Sequence, residues 1–179
     1  MILLPAIDLF GGQAVRLYQG DYNQMTVYDP DPLHTVRQFE RAGATHLHLV
    51  DLEGAKTGRT TNLPVIQRIA AQTNLLIEVG GGIRTMDTVR RYLEAGCDIV
   101  TTNTFGATDA HLGADAASCM RAGVRIAREA VSRAGRGYVA ADMGPSGRLL
   151  APYGALLFED AIRLFQALPL PSKRGRICF

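Results

Sequence analysis

Apolar residues recur along this chain in two alternating rhythms. Short runs of buried-strand character, Ile2–Asp8, His46–Asp51, Leu75–Val79, Asp98–Thr102 and Tyr138–Asp142, are separated by segments with helical spacing. Asp31-Pro32 supplies an N-cap and a first-turn proline, Leu33, Val36, Phe39 and Ala42 follow on one face, and Gly43 is placed to end the helix. Asn62 is placed to cap a second helix carrying Leu63, Ile66 and Ile69, after a polar loop over Glu53–Thr61. Thr85 opens a third helix with Met86, Val89 and Leu93 inward and Gly96 at its end. Leu112, Ala116, Met120, Val124, Ala127 and Val131 mark one face of a long fourth helix, whose Arg121, Arg125 and Arg128 read as a solvated stripe. A fifth helix is expected over Phe158–Ala167, and Ala14–Tyr18 reads as a weak strand or hairpin arm.

Repeated β-loop-α units imply a parallel sheet with helices packed on it. An open doubly wound sheet and a (β/α)₈ barrel both fit this rhythm. Asp8, Asp51 and Asp142 fall at strand ends, which favours the barrel, because barrel chemistry gathers at the carboxyl ends of its strands. Five units are visible where eight close a barrel. The expected fold class is therefore α/β, an incomplete (β/α)₈ barrel of about five units.

Composition adds little to that picture but removes several alternatives. The 179 residues are 47% hydrophobic and carry 19 Lys+Arg against 17 Asp+Glu, which suits a folded domain rather than a disordered chain. Lys173, Arg174 and Arg176 sit in the last seven residues, and without them the chain is slightly acidic, so no nucleic-acid surface is expected. The longest apolar run, Leu149–Phe158, contains Pro152 and Gly154 and is too short to span a bilayer, so no membrane partner is expected. No basic leader precedes the N-terminal strand, so a signal peptide is not expected. Cys97, Cys119 and Cys178 form no CxxC pair and read as buried or free thiols of a reducing, cytoplasmic compartment.

The candidate chemistry lies at the strand ends. Gly80-Gly81-Gly82-Ile83-Arg84 runs from a strand to a helix start, where backbone N–H groups can approach phosphate; a tight turn needing positive φ reads the same way. Asp8, just before Gly11-Gly12, is placed to act as an acid or base, or to cap the turn. Asp51 shares a strand face with Leu47 and Leu49, opposite His46 and His48. The His-x-His pair has no third ligand at a suggestive spacing, so no metal is expected and packing against a helix is the simpler reading.

The words Leu4-Pro-Ala-Ile-Asp-Leu-Phe-Gly-Gly, Val15-Arg-Leu-Tyr-Gln-Gly-Asp-Tyr, Val50-Asp-Leu-Glu-Gly-Ala and Val79-Gly-Gly-Gly-Ile-Arg-Thr occur in this order. In them, residues 1–93 resemble the N-terminal half-barrel of the phosphoribosylformimino-aminoimidazole carboxamide ribotide isomerases of histidine biosynthesis. That resemblance implies a cofactor-free barrel converting an aminoaldose to an aminoketose on a substrate with two phosphates. It places Asp8 at the family's first-strand catalytic aspartate and Gly81 and Gly82 in a phosphate-binding loop. Where the family's fourth strand runs into Gly-Thr, this chain has Asn103-Thr104, so the phosphate-site threonine survives as Thr104 and the glycine does not. Asp142 stands near the end of the fifth strand, where the family has its other catalytic aspartate.

Residues 94–167 carry a second resemblance. Asp98-Ile-Val-Thr-Thr-Asn-Thr-Phe-Gly-Ala-Thr, Val124-Arg-Ile-Ala-Arg-Glu-Ala and Ala141-Asp-Met-Gly-Pro-Ser-Gly-Arg-Leu resemble the homocysteine-binding barrel of methionine synthases and homocysteine S-methyltransferases, up to roughly Phe165. The zinc cysteines of that family have no counterpart in Cys97, Cys119 or Cys178. The expectation is a chain joined from two families near Tyr92–Asp98, followed by an irregular, truncated or frame-shifted tail over 168–179. Three functions fit: an impaired sugar-phosphate isomerase acting on a phosphorylated ribose-type substrate, a methyltransferase fragment, or a non-catalytic phosphate-binding half-barrel. A partial barrel exposes strand edges, so a homodimer through them is also expected.

Overall fold

The structure, a computed structural model, describes residues 2–166 and 177–178. Its sheet has the order β3-β2-β1-β4-β5-β6-β7-β8. These strands are β1 (Ala6–Phe10), β2 (Gln13–Tyr18), β3 (Asp21–Asp29), β4 (His46–Asp51), β5 (Leu76–Gly80), β6 (Ile99–Thr101), β7 (Tyr138–Ala140) and the two-residue β8 (Ile177–Cys178). From β1 through β4, β5, β6 and β7 to β8 every pairing is parallel. The order never reverses after β1. A doubly wound sheet requires such a reversal, so the arrangement is that of a barrel wall that does not close.

Five β/α units are present, as expected. The helices are α1 (Pro32–Arg41), α2 (Leu52–Thr57), α3 (Leu63–Gln72), α4 (Met86–Glu94), the short α5 (Asp109–Leu112), α6 (Ala116–Ala134) and α7 (Phe158–Gln166). Leu33 and Val36 of α1, Ile66 and Ile69 of α3, Val89 and Leu93 of α4, and Ala127 and Val131 of α6 pack on one face of the sheet. They meet Ile7, Leu9, Leu47, Leu49, Ile77, Val79, Val100 and Val139, and burial of these side chains holds the wall together. The opposite face is left to Asp8, His48, Glu78 and Thr101, in phase with one another by strand alternation.

Several expected elements are revised. The polar stretch Glu53–Thr61 holds the helix α2, which Asp51 caps through the Gly54 N–H (2.9 Å) and Gly58 ends at φ 74°. The long fourth helix does not begin at Leu112, which is exposed; a 3₁₀ turn at Gly113–Asp115 intervenes, and α6 starts at Ala116. Arg121 and Arg125 are exposed, but Arg128 is half-buried, so the stripe is only partly solvated. The weak arm at Ala14–Tyr18 is one side of a hairpin whose nine-residue partner, β3, has no buried face to announce it. Strand β7 ends at Ala140, leaving Asp142 in the following loop. Of the expected tail, Ile177–Cys178 pair with β7, and the rest lies outside the described residues. No helix among the described residues is long and apolar enough to cross a membrane.

Asn62 was expected to cap α3 with its side chain, but makes no such bond. It is fully buried instead. Its Nδ2 donates to Asp51 Oδ1 (2.7 Å), and its Oδ1 accepts from the Gly12 N–H (2.9 Å). The Tyr92 hydroxyl donates to Asp51 Oδ2 (2.8 Å). Asp51 is thus a structural hub, completely buried, accepting from α2, Asn62 and α4 at once. Removing the tyrosine hydroxyl alone leaves one buried carboxylate oxygen without that donor. Tyr92→Phe is expected to cost about 2 kcal/mol, as hydrogen bonds to charged groups contribute about 1.5–3 kcal/mol. A thermal melt lowered by only a degree would show that the hub does not bear on stability.

Candidate active site at the strand ends

A cavity of about 770 Å³ opens at the carboxyl ends of β4–β7. Its walls include His48, Glu78, Gly80–Gly82, Thr101, Asn103 and Asp142. His48 and Glu78 are direct register partners on β4 and β5. His48 Nδ1 lies 3.1 Å from Glu78 Oε2, but the alignment is poor for a hydrogen bond, so the contact is an ion pair when His48 is protonated. Thr101 on β6 donates its hydroxyl to Glu78 Oε1 (2.9 Å).

These neighbours move the titration of His48, Glu78 and Asp142. The Glu78 contact raises the His48 pKa against the opposing effect of burial, and Asp142 and Asp8 add to the rise. Burial pushes Glu78 upward, but His48 and Thr101 outweigh it and hold its carboxyl below the usual value. Burial is the first cause of the raised pKa of both Asp8 and Asp142; Arg16 and His48 oppose it at Asp8, and His48 opposes it at Asp142. His48 therefore sits within electrostatic reach of three carboxyls, Asp8, Glu78 and Asp142. The two aspartates are partly desolvated acids, the condition under which a carboxyl exchanges protons nearer to neutral pH.

The pH dependence follows by sign. A raised histidine pKa stabilises the fold below its unfolded value near pH 6.5 and loses that contribution as pH rises through the folded value. The lowered Glu78 pKa contributes above about pH 4.3 and is lost as pH falls through its folded value. The pair is therefore strongest between about pH 4.3 and about pH 6.5. Replacing His48 with Gln is expected to flatten the decline in unfolding free energy between about pH 6 and about pH 8. Parallel urea titrations of the two proteins at those pH values measure it, and identical slopes would rule the pair out as its source.

The residues singled out from the sequence are distributed as follows. Asp142, Gly81 and Gly82 line the cavity. Asp8 lies on the same sheet face but borders the neighbouring cleft of about 750 Å³ between the β2–β3 hairpin and α1, where Arg16 and His34 also lie. Thr104 is buried, and its hydroxyl donates to the Asp142 carbonyl oxygen. Gly81 and Gly82 have φ of 95° and 69°, and a Cβ on either would collide with backbone, of Asp51 and Gly54 respectively. The turn geometry thus demands glycine there without any ligand. Arg84 donates to the Ala55 carbonyl (2.8 Å) at the same rim and is the lone Lys or Arg among the cavity-lining residues.

Contrary to the expectation that they pack against a helix, His46 and His48 share the face turned away from the helices. His48, Glu78 and Thr101 were not recognised as a group in the sequence. The available signal was the presence of polar residues in phase on three otherwise apolar strands. Cys97 is buried, with burial pushing its thiol up to about 12, whereas Cys119 is exposed. The raised thiol of Cys97 is the opposite of a reactive thiolate.

Comparison with known proteins gives this geometry a context. Residues 2–144 match the family described as histidine biosynthesis protein. An enzyme of Leuconostoc mesenteroides, named 1-(5-phosphoribosyl)-5-((5-phosphoribosylamino)methylideneamino) imidazole-4-carboxamide isomerase, is 53% identical over 111 residues, covering 62% of this chain and 47% of the relative. Proteins of the same name from Lactococcus lactis and Dehalococcoides mccartyi are 60% identical over 94 residues and 51% over 104. These alignments cover 52% and 58% of this chain, and 39% and 44% of the relatives. The chain spans less than half the length of the curated relatives it matches. The family match runs through β6, α6 and β7, across the expected junction, so neither a join of two families nor a methyltransferase likeness over 94–167 is supported by it.

Proposed function

The chain belongs to the histidine biosynthesis protein family, and on that premise we propose that it carries the acid–base and phosphate-binding elements of an aminoaldose–aminoketose isomerase acting on a phosphoribosyl substrate. The observation that carries the reading is the placement of two partly desolvated aspartates, Asp8 in the middle of β1 rather than at its expected end and Asp142 just past β7, on either side of the His48–Glu78 pair. The substrate class comes from the name shared by the relatives, which specifies two phosphoribosyl groups. The reading includes a cytoplasmic location and no cofactor.

The chemistry needs two proton transfers. One carboxyl, still protonated, delivers its proton to the ribose ring oxygen as the ring opens, and a carboxylate removes the proton from C2′. Asp8 and Asp142 fill these roles, with burial raising both carboxyls, Arg16 and His48 opposing it at Asp8 and His48 opposing it at Asp142. One substrate phosphate lies at the Gly81-Gly82 turn, where Arg84 offers the cavity's lone guanidinium. Thr104 belongs to the same reading as a phosphate-loop residue through its place in the turn after β6.

Turnover of the aminoaldose by the purified, folded chain is the test. Conversion to the aminoketose that disappears in Asp8→Asn supports the proposal. Absence of conversion, with inorganic phosphate still perturbing the Gly81 and Gly82 amide signals, would leave a phosphate-binding half-barrel in its place. The open edges of the wall also make self-association part of the proposal, and a sedimentation profile of monomer alone would remove that part.

A further inference from the structure

We propose that the side chains of Thr102 and Thr104 fix the Asp142 carboxylate at the cavity, through a closed ring of hydrogen bonds, rather than donating to a phosphate, whose contact with this turn is left to the backbone. This rests on the reading that Asp142 takes part in proton transfer. Asp142 lies past the end of β7, where no strand ladder holds it. Its backbone is held by the turn after β6 instead. The Asp142 N–H donates to Thr102 Oγ1 (2.9 Å), and the Thr104 hydroxyl donates to the Asp142 carbonyl (2.6 Å). The two hydroxyls are themselves 2.6 Å apart.

The direction of every bond in this ring is determined. A carbonyl can only accept, so the single Thr104 proton is committed to Asp142. Thr104 Oγ1 must then accept from Thr102, whose own oxygen accepts from the Asp142 N–H. Both hydroxyl protons are consumed inside the ring. A phosphate accepts hydrogen bonds, and neither threonine has a side-chain proton left to give it. Thr102 and Thr104 are buried to 4% and 1% exposure, so water does not compete for these bonds.

Surrounding packing holds the ring in place. The Thr102 N–H donates to the Ala140 carbonyl (2.9 Å), continuing the β6–β7 register into the turn. Gly123 of α6 lies so close to the Thr104 methyl that a Cβ there would come within 2.5 Å of it, which seats the turn on the helix. Asn103, between the two threonines, is exposed and faces the cavity. The turn thus holds Asp142 through two buried side chains and leaves the third exposed at the cavity.

Thr102→Val keeps the shape of the side chain but removes the hydroxyl. Carboxyl-detected NMR titration of the folded chain is expected to show the Asp142 midpoint falling by about half a pH unit or more in Thr102→Val, as the loosened carboxyl gains water. Thr102→Ser should restore it, and Thr88→Val, a buried threonine on α4, should leave it unchanged. If the folded Thr102→Val titrates like the parent chain, the proposal is overturned. Should that variant not fold, amide exchange in the parent decides: Asp142 N–H must be protected despite lacking a backbone acceptor, and exchange at the rate of an exposed loop amide overturns the proposal. In a chain that converts the aminoaldose, kcat should drop about tenfold in Thr102→Val with KM little changed and recover in Thr102→Ser; a parallel rise in KM alone overturns the positioning role. Absence of conversion in the parent would defeat the isomerase reading, while the titration and exchange results still decide the ring.

Discussion

Asp8→Asn is expected, under the proposed isomerase reading, to lower turnover of the phosphoribosyl aminoaldose by about 10²–10⁴-fold, the usual contribution of a positioned acid or base. The amide keeps the size of the carboxyl but can neither deliver nor accept the proton. Its effect on stability should be opposite in sign to that of a typical buried-residue change. Burial raises the Asp8 pKa, so the folded chain holds the ionised form less readily than the unfolded chain does. Such a group contributes most below its unfolded value near pH 3.9 and progressively less as pH rises through the folded value. A neutral asparagine avoids that loss, so the variant should melt no lower than the parent at neutral pH. Steady-state turnover and a thermal melt on the same sample check both halves. A variant that keeps its rate would remove Asp8 from the chemistry, and one that loses rate and fold together would make it structural.

Gly81→Ala is the second large effect, and it concerns the fold. At φ 95° an L-residue is strained, and the new methyl would overlap the Asp51 backbone. That backbone cannot easily retreat, because the Asp51 side chain is tied to Gly54, Asn62 and Tyr92. Strain and overpacking together are expected to cost about 3–5 kcal/mol, comparable with much of the stability of a small domain. Gly11 is the control. Its φ is also positive, at 58°, but a Cβ there meets nothing within 4 Å. Gly11→Ala should cost only the local strain of about 1–2 kcal/mol. Urea unfolding of the two variants side by side measures the difference, and equal midpoints would mean that the Gly81 turn is not packed on Asp51.

The alternation of strand and helix could be read from the sequence because each unit buries a face of its own. Leu47 and Leu49, or Val89 and Leu93, reveal a buried side by spacing alone. The elements that escaped lack such a face. Strand β3 is solvent-touched along most of its length, and α2 depends on a cap from Asp51 rather than on an apolar stripe. The same physical distinction divides the site. Asp8 and the glycine turn are local features that a motif exposes, although Asp8 lies in the middle of β1 rather than at its end. The His48–Glu78 pair depends on the register between β4 and β5, and the Asn62 and Tyr92 bonds to Asp51 join residues far apart in the chain. No local spacing encodes such long-range pairings. Thr104 shows the converse: its motif position suggests one partner, whereas its hydroxyl has another.

The unreversed strand order has a consequence for how the chain acquires its shape during synthesis. From β1 through β7, each parallel strand pairs with the parallel strand made immediately before it. The β2–β3 hairpin precedes β4 in the chain and pairs with β1 without needing it. A nascent chain leaving the ribosome therefore always meets a template that already exists. Its wall can grow by successive addition, with Asp51, Asn62 and Tyr92 locking one stage before β6 and β7 add the next.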